Sequence, residues 1–211
     1  MFRLRVVLVC NLHNPDAKIT QLLFAAAAAR ELGAAQIGLV ARYLVYMRQD
    51  RKFQPGEALT SVTFAGLINS SFDWLATVDP HLHRYHALSD LYSIPSTVVR
   101  AAPAIAQWIQ DQVSMPWLIG PDEESAQWVS AVARSAQAPF TVLDKIRRGD
   151  RDVEVSVPDM ASYAGHTPVL VDDIISTGRT MAKTITHLRQ ANLPAPVCIG
   201  VHAVLAKQAY E

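Results

Sequence analysis

The 211-residue sequence is poor in cysteine: only Cys10 and Cys198 occur, each inside an apolar run. That excludes a disulfide framework and suits a reducing compartment, where free thiols pack as small hydrophobes. A surplus of charge is also missing, since 19 Lys plus Arg balance 19 Asp plus Glu. Proteins that coat nucleic acid need a basic excess, so no nucleic-acid partner is expected. The first apolar run, residues 6–10, is too short for a signal-peptide core and far too short to span a bilayer, so the chain reads as cytoplasmic with no membrane partner. What is present is ample core material: half the residues are apolar and 18% are charged, which excludes disorder as a global description.

Short β-branched runs alternate with longer helical patterns, the rhythm of βαβ units and mostly parallel sheets. Strands are expected at residues 6–9, 36–44, 74–78, 97–99, 117–119, 140–143, 153–157, 168–171 and 197–201. Helices are expected at 18–32, 60–69, 102–112, 123–135 and 180–190. Residues 47–59 and 144–152 read as polar or charged connections. The pattern parses into two α/β halves, 1–99 and 100–211, each Rossmann-like, with the chain ending at residue 211 as a new helix begins.

The most informative segment is VLVDDIISTGRT, residues 169–180. Apolar residues enter a buried strand, Asp172 and Asp173 end it, and a small-residue loop leads into a helix. A loop at the carboxyl end of a parallel strand is where open α/β sheets bind ligands, and a helix N-terminus offers N–H groups to an anion. Thr177, Gly178 and Thr180 can cradle a phosphate, while the two carboxylates would repel it and suit ribose hydroxyls or a hydrated Mg²⁺. Cations gather elsewhere. The chain has 14 Arg and five Lys, and eight of these 19 stand in two segments: Arg42, Arg48, Arg51 and Lys52, then Lys145, Arg147, Arg148 and Arg151. Arginine suits bidentate phosphate recognition, and Arg48 lies among aromatic residues where it can stack on a purine. The four tryptophans read as core or interface residues.

VLVDDIISTGRT resembles the phosphoribosyl-diphosphate binding loop of the phosphoribosyltransferase fold. Alone it does not separate transferases from the kinase that makes their substrate. Segments earlier in the chain do so: YLVYMRQDRKFQPGEALT (43–60), DPHLHRYHAL (79–88) and GPDEES (120–125) resemble, in order and rough spacing, segments of ribose-phosphate diphosphokinase, also called PRPP synthetase. The resemblance covers nearly the whole chain. It implies two tandem phosphoribosyltransferase-like halves, the first of ATP-binding type and the second binding ribose 5-phosphate. It implies ATP contacts by Arg48, Gln49 and Asp50, and Mg²⁺ at His81 and Asp122. Ribose 5-phosphate falls to Asp172, Asp173, Ser176, Thr177, Gly178 and Thr180, and Lys145 and Arg147 become the catalytic pair of a mobile loop. His81, His83 and His86 can also suggest zinc, but no Cys lies near them in sequence and the oxygen donors Asp79 and Asp122 favour a hard ion. The reaction implied is transfer of pyrophosphate from MgATP to the C1 hydroxyl of ribose 5-phosphate, in a homo-oligomer or beside a full-length homologue. A weakly active, synthetase-like regulatory subunit and a base phosphoribosyltransferase are the alternatives. Both halves are expected to be short of the family pattern: a Phe-x-Asp-Gly-Glu segment at the start and a closing strand and helix at the end have no counterpart. Arg42 stands where the family has Pro, and Ser176 where many synthetases have Asp.

Overall fold

The computed structural model describes residues 4–122, 125–148, 152–156, 160–206 and 209. They form two compact units, Met1–Arg100 and Ala101–Glu211.

The first unit is one parallel sheet in the order β1-β2-β3-β4: β1 Arg5–Val9, β2 Gln36–Ala41, β3 Trp74–Val78 and β4 Ser96–Val99. Helices α1 (Ile19–Glu31) and α2 (Thr60–Ser71) make the first two crossovers. Strands Ile37, Leu39 and Leu75 bury one face against Leu22 and Ala26 of α1 and Phe64, Ala65 and Ile68 of α2. α1 stops where Gly33 takes φ 87, a conformation open to glycine, and the Gly33 and Ala34 amides close the last turn on Arg30 and Ala29. At the same end, Asp73 accepts the Ile37 N–H at 2.6 Å and pairs with Arg30 at 2.9 Å, tying α1 to the amino ends of β2 and β3. On the other sheet face the Trp74 ring lies over Gly38, where any Cβ would meet the indole, and Val7 and Val9 of β1 are exposed.

The second unit has the parallel order β10-β9-β5-β6: β5 Pro116–Gly120, β6 Phe140–Val142, β9 Thr167–Ile175 and β10 Val197–Ala203. Helices α3 (Ala102–Gln112) and α4 (Ala126–Ala136) pack on one face, where Ile109, Val129 and Val132 meet Leu118, Val169 and Val171. Helix α5 (Arg179–Gln190) covers the other with Met181 and Leu188 against Ile119 and Leu170. The buried Trp117 belongs to that second layer; its indole N–H donates to Thr141 Oγ1 at 3.1 Å and its ring stacks on Tyr163 at 4.2 Å. Tryptophan is thus core here, with its one polar atom satisfied.

Three expectations change. Residues 144–148, expected as part of a charged connection, form strand β7 (Asp144–Arg148), because β8 (Asp152–Ser156), close to the strand expected at 153–157, offers it an antiparallel partner. Strand β9 continues through both acids to Ile175, since β10 stays in register as far as Ala203. Strand β2 ends at Ala41, short of the expected 44: Leu44, Val45 and Met47 are buried anchors of the following loop. The expected helix start at 123–124 and the residues after 206, apart from 209, lie outside the described residues.

Candidate functional site

In each unit the singled-out residues stand at carboxyl ends of parallel strands, where βα connections converge. In the first unit the loop after β2 carries Arg48, Gln49 and Asp50. Its course is set by Tyr46, with φ 62, and by a turn in which the Gln49 N–H donates to the Tyr46 carbonyl at 3.0 Å. Glu57 organises the far side: one carboxylate oxygen accepts the N–H of Phe53 at 2.7 Å, that of Gln54 at 3.1 Å and the Gln49 side-chain amide at 3.4 Å. Arg48 is exposed; the arginine that lies on an aromatic ring is Arg51, 4.8 Å from the Phe53 centroid. The Asp50 side chain is only 6% exposed and faces Arg84 Nε at 3.4 Å.

The loop after β3 opens with Asp79 at φ 31, followed by Pro80 and His81. Asp79 is buried, donates its N–H to the Val99 carbonyl at 3.1 Å, and has Arg100 Nη1 3.4 Å from its carboxylate. His81 is half-buried and its ring lies 3.9 Å from that of exposed His83. This loop reaches the preceding one: Tyr85 Oη is 3.2 Å from Ser61 Oγ, and Ser61 donates to the Gln49 carbonyl at 2.9 Å.

In the second unit Asp122 follows β5, and its carboxylate accepts the Ser125 N–H at 3.3 Å. Asp172 sits on β9, accepting the Asp173 N–H at 2.9 Å. Burial above all, then the charges of Asp173 and Asp122, push the Asp172 carboxyl up to about 7. The charges of Asp173 and Asp122 thus stand close enough to hinder ionisation of Asp172, and the three acids make an oxygen-only donor set that fits a hard divalent cation or sugar hydroxyls. Immediately beyond, Ser176 and Thr177 lead to Gly178, the N-cap of α5 at φ 69. Among the described residues no side chain caps this helix, so its first-turn N–H groups face the loop, an arrangement that receives phosphate. The Ala206 N–H donates to the Ser176 carbonyl at 2.9 Å and braces the loop from behind. Thr180 is exposed on the first turn. Lys145 and Arg147 stand two positions apart on β7, opposite Val155 and Val153; their side chains, and residue Arg151, lie outside what the structure describes.

The structure thus brings Arg48, Gln49 and Asp50 together in one unit with the His81 loop, and in the other Asp122 with Asp172, Asp173 and the α5 start. Sequence reasoning missed Ser61, Glu57, Arg84 and Arg100. Glu57 had a signal in the Pro55-Gly56-Glu57 turn; Arg84 and Arg100 are single arginines outside both cation-rich segments and gave none.

Residues 87–211 match the family described as the phosphoribosyl transferase domain. Residues 3–71 match the N-terminal domain of ribose phosphate pyrophosphokinase. The ribose-phosphate pyrophosphokinase of Methanopyrus kandleri is 32% identical over 207 residues, covering 97% of this chain and 70% of that protein. That of Halobacterium salinarum is 32% identical, covering 97% and 71%. Among solved structures, phosphoribosylpyrophosphate synthetase from Mycobacterium smegmatis superposes with a TM-score of 0.81 at 21% identity, over 97% of this chain and 66% of that one. The fold is shared, and the chain spans slightly under two thirds of that solved synthetase.

Proposed function

The chain belongs to the ribose-phosphate pyrophosphokinase family of enzymes, and from that premise we propose that it transfers pyrophosphate from MgATP to the C1 hydroxyl of ribose 5-phosphate. The oxygen at C1 attacks the β-phosphorus, the bond between the α–β bridging oxygen and the β-phosphorus breaks, and AMP leaves. The observation that carries this reading is the uncapped start of α5 directly after two acids, a phosphate cradle and a hydroxyl-binding pair side by side. Residues 1–99 form the nucleotide half and 100–211 the sugar-phosphate half.

Within the first half, Arg48 and Gln49 hold the ATP phosphates and purine, with Asp50 fixing the loop that bears them. Within the second, Ser176, Thr177, Gly178 and Thr180 receive the 5-phosphate through main-chain N–H groups and hydroxyls. Asp172 and Asp173 accept hydrogen bonds from the ribose hydroxyls. His81 and Asp122 are each proposed to ligate Mg²⁺, which when bound would supply neutralisation of phosphoryl charge. Lys145 and Arg147 balance the charge that develops on the transferred group. Phosphoryl transfer asks for positioning and electrostatics rather than covalent chemistry by the protein, which fits a site of carboxylates, main-chain N–H groups and cations. The acting form is a homo-oligomer or an assembly with a full-length homologue.

The test is AMP release with MgATP and ribose 5-phosphate. AMP should appear only when both substrates are present, and His81→Ala and Lys145→Ala should each lower the rate by about a hundredfold or more. Binding of ribose 5-phosphate without AMP release would replace this reading with that of a synthetase-like subunit lacking turnover.

A further inference from the structure

We propose that Arg84 and Tyr85 are positioning residues, which lock the Arg48–Asp50 segment onto the His81 loop and so set the nucleotide affinity; this rests on the nucleotide reading above. Asp50 is the buried end of this connection. A carboxylate with 6% of its side chain exposed has lost nearly all its water, and such a group is costly unless a partner replaces that water. The partner is Arg84, 3.4 Å away, which remains 45% exposed and so reaches over Asp50 from the neighbouring loop.

The next residue repeats the connection by another route. Ser61 is fully buried at the start of α2, and its hydroxyl proton goes to the Gln49 carbonyl at 2.9 Å. Tyr85, 3.2 Å from the same oxygen, is then the donor to Ser61. Two consecutive residues of the His81 loop therefore grip two consecutive residues of the nucleotide segment, one through its carboxylate and one through its main chain. Glu57 holds the side chain of Gln49 from the opposite direction at 3.4 Å. Gln49 is thus fixed at both ends, and Arg48 stands on a backbone whose position depends on Arg84 and Tyr85. Outer partners that orient metal-ligating residues are typically worth about ten- to a hundredfold, and an effect at the lower end of that range is expected for these two.

A control lies in the same unit. Arg30 and Asp73 pair at 2.9 Å, at the amino ends of the strands and away from both loops. The experiment is calorimetric titration of the whole chain with a non-hydrolysable ATP analogue and Mg²⁺, with ribose 5-phosphate titrated separately. Arg84→Ala and Tyr85→Phe should each raise Kd for the nucleotide by about tenfold. Arg84→Lys should recover most of the loss, ribose 5-phosphate affinity should not move, and Arg30→Ala should lower Tm with nucleotide affinity unchanged. Tyr85→Phe carries the test should Arg84→Ala fail to melt cooperatively. The proposal is overturned if both variants bind nucleotide as wild type does, if Arg30→Ala weakens binding equally, or if wild type binds no nucleotide. Correct binding behaviour without AMP release would overturn the reaction and leave the positioning role standing.

Discussion

Asp172 is the residue whose surroundings say most about the chemistry. Its carboxyl holds a proton up to about 7 against an ordinary value of 3.8, chiefly through burial. Between those two values the native state binds more protons than the unfolded chain, so this group's contribution to stability falls as pH rises from about 4 to about 7. In metal-free protein, Tm should decline across that window, and Asp172→Asn should flatten the decline and be the more stable form at pH 8. A wild-type profile no steeper than that of the variant would show that the Asp172 carboxyl is not raised in the folded protein. These residues were legible in sequence because two adjacent acids beside small residues and a helix are an uncommon juxtaposition. Arg84 was not legible: its meaning depends on Asp50, distant in sequence and joined to it only by the fold. Nor was the burial of Asp50, since in sequence it sits in a run of exposed charges.

At the scale of elements, periodicity bounds β3 and α3 as they stand and places most other elements within a residue or two, while β2 ends three residues earlier and β9 four residues later than expected. It failed where pairing decides. Strand β9 runs through its acids because β10 supplies partners, with Gly200 opposite Asp172, and no pattern in 168–175 alone reports that. Strand β7 reads as part of a charged connection because aspartate and lysine are poor strand formers, although pairing with β8, itself expected as a strand at 153–157, overrides that. The junction of β9 with α5 turns on Gly178, which at φ 69 occupies a region that costs a side-chain-bearing residue about 1 kcal/mol or more. Gly178→Ala should weaken ribose 5-phosphate binding severalfold while leaving nucleotide binding intact; equal loss of both ligands would mean that the substitution disturbs more than this turn.

For the whole molecule, each unit is built around its own core. Leu39 is fully buried in the first, among residues of α1, α2 and β3. Leu39→Ala should cost about 2–5 kcal/mol. Hydrogen exchange should then quicken in β2 and β3 and remain slow in β5 and β9, each measured against wild type. Uniform acceleration across the chain would show that the two units unfold as one. The balanced net charge, which at first excludes a basic partner, is the sum of local imbalances: cationic segments in both units against the acids Asp122, Asp172 and Asp173. In the first unit, the ion pair Arg30–Asp73 and the Gly33 stop sit at one end of the strands, and Arg48, Gln49 and His81 at the other. That separation bears on how such a chain can evolve. On the proposed function, substitutions at the amino ends act through folding and those at the carboxyl ends through ligand recognition as well, so one set of loops can drift toward a new ligand on an unchanged frame.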